Sequence, residues 1–287
     1  MALVIVDLHA HTRASDGTQT PSEVVARAAR RGVTVLAITD HDTVAGLPEA
    51  IAAGRRLGVR LIPGVELSVR PPHGQLHLVV YLPTVCPARM LDVLDELRRD
   101  RVVRADAMAA KLAELGATID MAAVRARVGS SLGRPHLADA LVDAGHAVDR
   151  TDAFARFLGD DGPAYVPYGL LDPAAALGLV TESGGVATLA HPGSLRLGMR
   201  GLEAYTARLR HLGLWGIEVY RAEHTPEQRD GFARIARRLS LVATGGSDYH
   251  GPDVGRSDLG DTGAPPLPPE VADLVHCALR ERVASAP

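Results

Sequence analysis

Near the amino end of the chain, residues 3–8 form an apolar run that leads into Asp7-Leu8-His9-Ala10-His11, with Asp16-Gly17 shortly after. The run has the length and β-branched content of a buried strand. Side chains of a strand alternate faces, so Asp7, His9 and His11 are predicted to share one face. Polar groups side by side at the end of a buried strand are costly unless something satisfies them. A metal ion does so, because two imidazoles spaced i, i+2 can both ligate it. The same residue types recur at Asp40-His41, Glu66, His77, His191-Pro192 and Asp248-Tyr249-His250.

The elements that would carry these residues follow from periodicity and punctuation. Thr20-Pro21-Ser22-Glu23 starts a helix that runs to Arg31 and stops at Gly32. A strand over 33–39 ends in Asp40-His41, a helix covers about 43–57, and a third strand over about 59–69 holds Glu66. The turn at Pro71-Pro72-His73-Gly74 leads to a strand from His77 to Leu82. Glu66 late in one strand and His77 early in the next become neighbours only if the two are antiparallel, so a hairpin is predicted.

Residues 86–165 read differently: helices over about 88–115, 120–127, 135–144 and 151–158, with almost no strand signal. They are expected to be an inserted α-helical subdomain. Alternation then resumes, with strands over 185–190, 217–220 and 241–244 and helices starting at Pro173 and covering about 201–212, 225–239 and 269–283. Seven strands alternating with helices give an α/β chain whose polar residues sit at strand ends, where parallel α/β folds build their sites.

Composition sets the outer limits. The hydrophobic content of 46% over 287 residues supplies a large core. A net charge of −3 gives no basic field for a long nucleic acid, and 3% aromatic residues give little stacking surface. No signal peptide or membrane span is read, Cys86 and Cys277 have no metal-ligand spacing, and a cytoplasmic location is expected.

The candidate ligands are His9, His11, Asp16, His41, Glu66, His77, His191, Asp248 and His250. An imidazole and carboxylate set without thiolate suits Mn, Fe or Zn. Nine groups exceed the needs of one ion, so two to three divalent ions are expected, with Glu66 a bridge. Clustered ions lower the pKa of bound water and clamp a phosphoryl group, which needs no side-chain nucleophile. Asp7 and Asp40 are read as acceptors that orient the ligating rings. Arg134 and His136 flank a helix start, where backbone N–H groups favour phosphate, and Arg196 is a second phosphate candidate. Arg98, Arg99, Arg101 and Arg104 alternate with acids and read as a solvated helix face.

Together, Asp7-Leu8-His9-Ala10-His11, Ser15-Asp16-Gly17, Thr39-Asp40-His41, Gly64-Val65-Glu66, His77, His191-Pro192 and Gly246-Ser247-Asp248-Tyr249-His250 resemble the motifs of the PHP (polymerase and histidinol phosphatase) superfamily. The resemblance implies a distorted (β/α)7 barrel, residues 1–85 and 166–287, with the helical insertion between. It also implies three ions: one on His9, His11, Glu66 and Asp248, one on Glu66, His77 and His191, and one on Asp16, His41 and His250. Gly133-Arg134-Pro135-His136 and Pro163-Ala164-Tyr165-Val166-Pro167 are similar to the branch that acts on nucleoside 3′,5′-bisphosphates or trims short RNA from its 5′ end. Gly162 stands where that branch often carries Lys, and Ser194 where it often carries Arg. The implied activity is a metal-dependent phosphoesterase in which a metal-bound hydroxide attacks a small nucleotide, with no general acid assigned. The alternatives are a histidinol-phosphate phosphatase and a non-catalytic partner-binding module.

Overall fold

The computed structural model describes residues 4–83, 88–252, 254 and 257–284. Seven strands form one sheet in chain order: β1 (Ile5–Asp7), β2 (Val33–Ile38), β3 (Arg60–Val69), β4 (Leu76–Tyr81), β5 (Val186–Leu189), β6 (Gly216–Tyr220) and β7 (Val242–Gly245). All pairs are parallel except β3–β4 and β4–β5, so β4 alone runs against the rest. The predicted hairpin is therefore present. His77 faces Ser68 and Val79 faces Glu66 across it, which makes Glu66 and His77 diagonal neighbours on one face. The first and last strands lead into segments that also meet: Ala10 bridges Tyr249 in parallel, with His11 N donating to Tyr249 O at 2.8 Å and Asp248 N to His9 O at 2.9 Å.

Helices cover the sheet. α1 (Pro21–Arg30) opens on the predicted capping box, Thr20 with Glu23. α2 (Leu47–Leu57) begins four residues later than expected and ends at Gly58, which adopts a left-handed φ of 73°. The two helices pack on each other, α1 against β2 and α2 against β3, in a cluster that includes Val24, Val25, Ala28 and Ala50. α3 (Ala88–Glu114) is followed by α4 (Met121–Arg127), α5 (Arg134–Asp143) and α6 (Arg150–Ala153), the last continuing as a π-helical turn, Phe154–Leu158. These helices enclose an apolar cluster of their own, including Met108, Leu112, Leu137, Leu141 and Leu158. α7 (Pro173–Glu182), α8 (Met199–His211) and α9 (Pro226–Arg238) pack on the other half of the sheet, whose core includes Leu78, Val80, Leu189 and Ile217. α10 (Glu270–Ala284) seats Val271, Val275 and Leu279 beside Val6, Val35, Val79 and Tyr81.

The chain is thus α/β with a mostly parallel central sheet. No helix among the described residues is long and apolar enough to cross a membrane. Cys277 is exposed and free, and Cys86 lies outside the described residues.

Candidate metal centre

Seven of the nine predicted ligands lie on a strand or within a few residues after one. His9 and His11 follow β1, His41 follows β2, Glu66 lies within β3, His77 lies near the start of β4, His191 follows β5 and Asp248 follows β7. Gly246 lets the β7 end press against the β1 end, since a Cβ there would stand 2.4 Å from His9 N. His191 and Asp248 both hold left-handed backbone, with φ of 26° and 52°. Such conformations are disfavoured for residues bearing a Cβ and concentrate where the surroundings over-determine them at functional sites.

The side chains converge around Glu66. Its Oε2 lies 3.3 Å from His9 Nε2, 3.2 Å from His11 Nε2 and 3.1 Å from His41 Nδ1. Its Oε1 lies 3.1 Å from His77 Nδ1 and 2.9 Å from His191 Nε2. Asp248 Oδ1 is 3.2 Å from both His9 Nε2 and His11 Nε2, and those two nitrogens are 3.1 Å apart. On the far side, Asp16 lies 3.3 Å from His250 Nε2 and 3.7 Å from His41 Nε2. Three overlapping groups could each hold a cation: His9, His11, Glu66 and Asp248; His41, Glu66 and His77; and His11, Asp16, His41 and His250. The structure therefore brings all nine predicted ligands into one cluster, with His191 joined to it through Glu66 and a 3.3 Å approach to His77.

Two buried atoms, Glu66 Oε2 and His41 Nδ1, have no hydrogen-bond partner among the described residues although they face each other. Imidazole nitrogens and carboxylate oxygens this close, with orphaned atoms at the centre, match a donor set that closes on cations. The charges lean on one another in the same way. Burial disfavours the carboxylate of Glu66, yet His41, His9 and His77 hold it well below the usual range. Burial likewise opposes charge on His11, yet Asp248 and Glu66 raise it to about 9. Burial depresses His41 and His191.

Residues behind the cluster fix the rings. Glu218, fully buried on β6, accepts from His9 Nδ1 at 2.8 Å and from His191 N at 2.6 Å. Burial resists its ionisation, but His9 and Arg221 hold its pKa down at about 2. Sequence reading missed Glu218, although a lone acid inside Gly-Ile-Glu-Val-Tyr was the available signal. Ser194 Oγ accepts from His191 Nδ1 at 3.0 Å and donates to Gln75 O at 2.9 Å, which gives the serine at that position a structural reason. Gly162 has one too: a Cβ there would stand 2.4 Å from Phe157 O, so this backbone leaves no room for a longer side chain.

Several expectations change. Asp7 and Asp40 do not touch the ligand rings. β1 ends at Asp7, whose oxygens accept from Ser247 N and Oγ, Gly260 N and His9 N. Asp40 accepts from Thr12 N and Oγ1 and Ser15 Oγ, the last lying 3.4 Å from His11 Nδ1. His136 turns back on its own helix start, where Nδ1 accepts from Gly133 N at 3.0 Å. Arg196 is 61% exposed and pairs with Asp160. Arg134 does line the cavity, with Nη1 donating to Leu158 O and Asp160 Oδ1.

Arg101 and Arg104 are not a solvated face. Both are buried and line a cavity of about 540 Å³ above the cluster. Arg101 donates to Asp42 and to Ser68 Oγ at 2.8 Å. Arg221, beside Glu218, reaches Asp248 Oδ2 at 3.2 Å. His224 packs on Phe232 with its Nδ1 on Val219 O.

Known proteins resemble this chain. Residues 7–98 match the PHP domain. The chain is 36% identical over 259 residues to a 3′,5′-nucleoside bisphosphate phosphatase of Chromobacterium violaceum, covering 90% of this chain and 91% of that one. It is 36% identical over 254 residues to the 5′-3′ exoribonuclease Rnm of Salmonella typhimurium, covering 87% and 86%. A solved structure described as a putative metal-dependent phosphoesterase of Bifidobacterium adolescentis superimposes with a TM-score of 0.87 at 32% identity, covering 95% and 96%. The chain belongs to the PHP family, and it is a metal-dependent phosphoesterase.

Proposed function

We propose that the protein hydrolyses a phosphate ester of a small nucleotide. The reaction is cleavage of a nucleoside 3′,5′-bisphosphate to the 5′-monophosphate and phosphate, or the related trimming of short RNA from its 5′ end. The observation that carries this reading is the join between a nine-residue cluster rich in imidazole and a cavity of about 540 Å³, the size of a small-molecule site. The relatives support it, since their names place both chemistries on chains this similar.

His9, His11, Glu66 and Asp248 would hold one divalent ion. Glu66, His77 and His191 would hold a second, and Asp16, His41 and His250 a third. Mn, Fe or Zn suits these donors. When bound, the ions supply a water of lowered pKa and positive charge against the phosphoryl oxygens. The chain's own residues do the rest. Glu66 presents one oxygen to each side of the cluster and keeps the two halves in register. Glu218 holds His9 with its Nε2 turned inward. Arg134 offers a guanidinium to the phosphoryl group from the cavity wall.

The sheet is read as a distorted (β/α)7 barrel over 1–85 and 166–287, which the contact between Ala10 and Tyr249 supports. Residues 86–165 are read as an inserted helical subdomain, supported by the apolar cluster the helices share. The substrate is small and phosphorylated, since a net charge of −3 suits no long nucleic acid. The exposed thiol of Cys277 suits the reducing cytoplasm.

The test is phosphate release from adenosine 3′,5′-bisphosphate by metal-loaded protein, with a short ribo-oligonucleotide and histidinol phosphate beside it. Asp248→Ala should lose bound metal and at least about 100-fold in rate. Release from histidinol phosphate alone, or a variant that keeps both metal and rate, would overturn the proposal.

A further inference from the structure

Two buried hydroxyls have no hydrogen-bond partner among the described residues, Ser131 Oγ and Thr206 Oγ1. Buried polar groups are nearly always paired, and an unpaired one lowers stability, so each calls for a reason. Thr206 sits within α8 and does not line the cavity. Ser131 does. It is 1% exposed, and it shares the cavity wall with Asp16, His41 and His250.

The chain fixes Ser131 in this place. It lies in the loop between α4 and α5. Ser130 N and Ser131 N both donate to Ala14 O, at 2.9 and 3.1 Å, and Ser130 Oγ donates to the same oxygen at 3.0 Å. Ser130 Oγ also lies 2.8 Å from Thr43 Oγ1. Gly129 permits this approach, since a Cβ there would stand 2.1 Å from Arg13 O. Ala14 is two residues before Asp16, and Thr43 is two residues after His41. The loop is therefore fastened to both segments that carry the group of Asp16 and His41 with His11 and His250.

The helix start beside it offers few other donors. Gly133, Arg134 and Pro135 line the same cavity, but Gly133 N already donates to His136 Nδ1 at 3.0 Å, and Pro135 has no N–H. Ser131 supplies what this backbone lacks. A hydroxyl suits the place, because it is neutral and its O–H can turn toward an arriving acceptor.

We propose that Ser131 is a catalytic residue whose Oγ–H donates a hydrogen bond to an oxygen of the phosphoryl group being hydrolysed. The inference rests on the phosphoesterase reading above and adds to it a neutral donor held by the chain. A donor fixed beforehand where charge develops stabilises the transition state, since it needs no reorganisation during the reaction. The unpaired hydroxyl is then a local cost in stability of the kind that active sites carry.

The test is Ser131→Ala on metal-loaded protein, with Thr206→Val for comparison. Ser131→Ala leaves the backbone bonds to Ala14 O in place. It should lower kcat/KM for adenosine 3′,5′-bisphosphate at least about tenfold. Its metal content by mass spectrometry should equal that of wild type, and its Tm should hold or rise, since the change removes an unpaired buried group. Thr206→Val should also hold or raise Tm, with kcat/KM unchanged. Full activity in Ser131→Ala would overturn the proposal. So would a loss accompanied by lost metal or a lowered Tm, which would make Ser131 a support of the cluster or of the fold. An equal loss in Thr206→Val would overturn it as well. If wild type hydrolyses none of the nucleotide substrates, the nucleotide reading falls as a separate result. Inorganic phosphate, titrated into metal-loaded protein by calorimetry, then decides on Ser131. Ser131→Ala should bind it at least about threefold more weakly, and equal affinity would overturn the proposal.

Discussion

The floor and the wall of the cavity are built on opposite terms. On the floor, carboxylates and imidazoles from separate strand ends crowd to within about 3 Å of one another, and two of their buried atoms have no hydrogen-bond partner among the described residues. On the wall, α3 presents buried arginines, and one of them is fully matched inside the protein: Arg101 takes Asp42 and Ser68. The floor is complete only with cations. On the wall, Arg101 is satisfied within the protein, whereas Arg104 bonds only through Nε to Val166 O and Arg221 Nε and Nη1 are buried without a hydrogen-bond partner among the described residues. The orphaned atoms of the floor, Glu66 Oε2 and His41 Nδ1, are where a cation would close the cluster, while the matched Arg101 holds the shape of the wall.

The largest effect that would break this contrast lies in the matched wall. Asp42 is fully buried and holds a left-handed φ of 51°, with Ser68 N and Arg101 as its partners. Arg101→Met leaves that carboxylate with a backbone donor alone. Removing one partner of a buried ion pair costs about 3–5 kcal/mol, and the remaining Ser68 N–H puts the loss near the lower end. Thermal denaturation should show a drop of about 2–4 °C per kcal/mol. An unchanged Tm would return this face of α3 to solvent and dissolve the contrast.

A smaller effect sharpens the contrast from the floor. Glu218 is matched, but its partners are His9 Nδ1 and His191 N, so it steadies two members of the unmatched set. Glu218→Gln keeps the shape and removes the charge. Metal affinity, measured by competition with a chelator, should fall about 10–100-fold, the usual cost of disturbing a partner behind a ligand. The Tm of the metal-free protein should move far less than in Arg101→Met. A large loss of metal-free stability with unaltered affinity would make Glu218 a structural group only.

The same division decides what the sequence reveals. Most floor residues sit at i, i+2 or within a few residues after a strand, and that local spacing survives in the one-dimensional pattern. The hairpin was legible too, because Glu66 and His77 had to meet. The wall was not. Arg101 and Arg104 lie three residues apart on a helix beside Asp95, Glu96 and Asp100, a pattern that reads as a solvated surface. Their burial depends on Asp42, Ser68 and Val166, which are distant in the chain. Asp7 and Asp40 misled for the converse reason. Their positions matched the role of ring-orienting acids, but loop backbone and hydroxyl donors reach them first. Glu218 was hidden because only the fold puts β6 behind β1.

The smallest effect concerns Arg196, which the sequence made a phosphate candidate. Its guanidinium is 61% exposed and lies 3.2 Å from Asp160 Oδ2, and it does not line the cavity. An exposed pair of this kind contributes about 0–1 kcal/mol. Asp160 keeps Arg134 when Arg196 is removed, so the wall loses no buried partner. Arg196→Ala should therefore change kcat/KM for adenosine 3′,5′-bisphosphate by less than about fivefold, since 1.36 kcal/mol corresponds to tenfold. The backbone test is included, because alanine at the left-handed φ of 51° bears the same Cβ that arginine does. A loss of tenfold or more would mean that Arg196 swings inward when substrate binds. The wall would then carry a further unmatched cation, and the line between groups that hold the shape and groups that hold the ligand would have to be redrawn at Asp160.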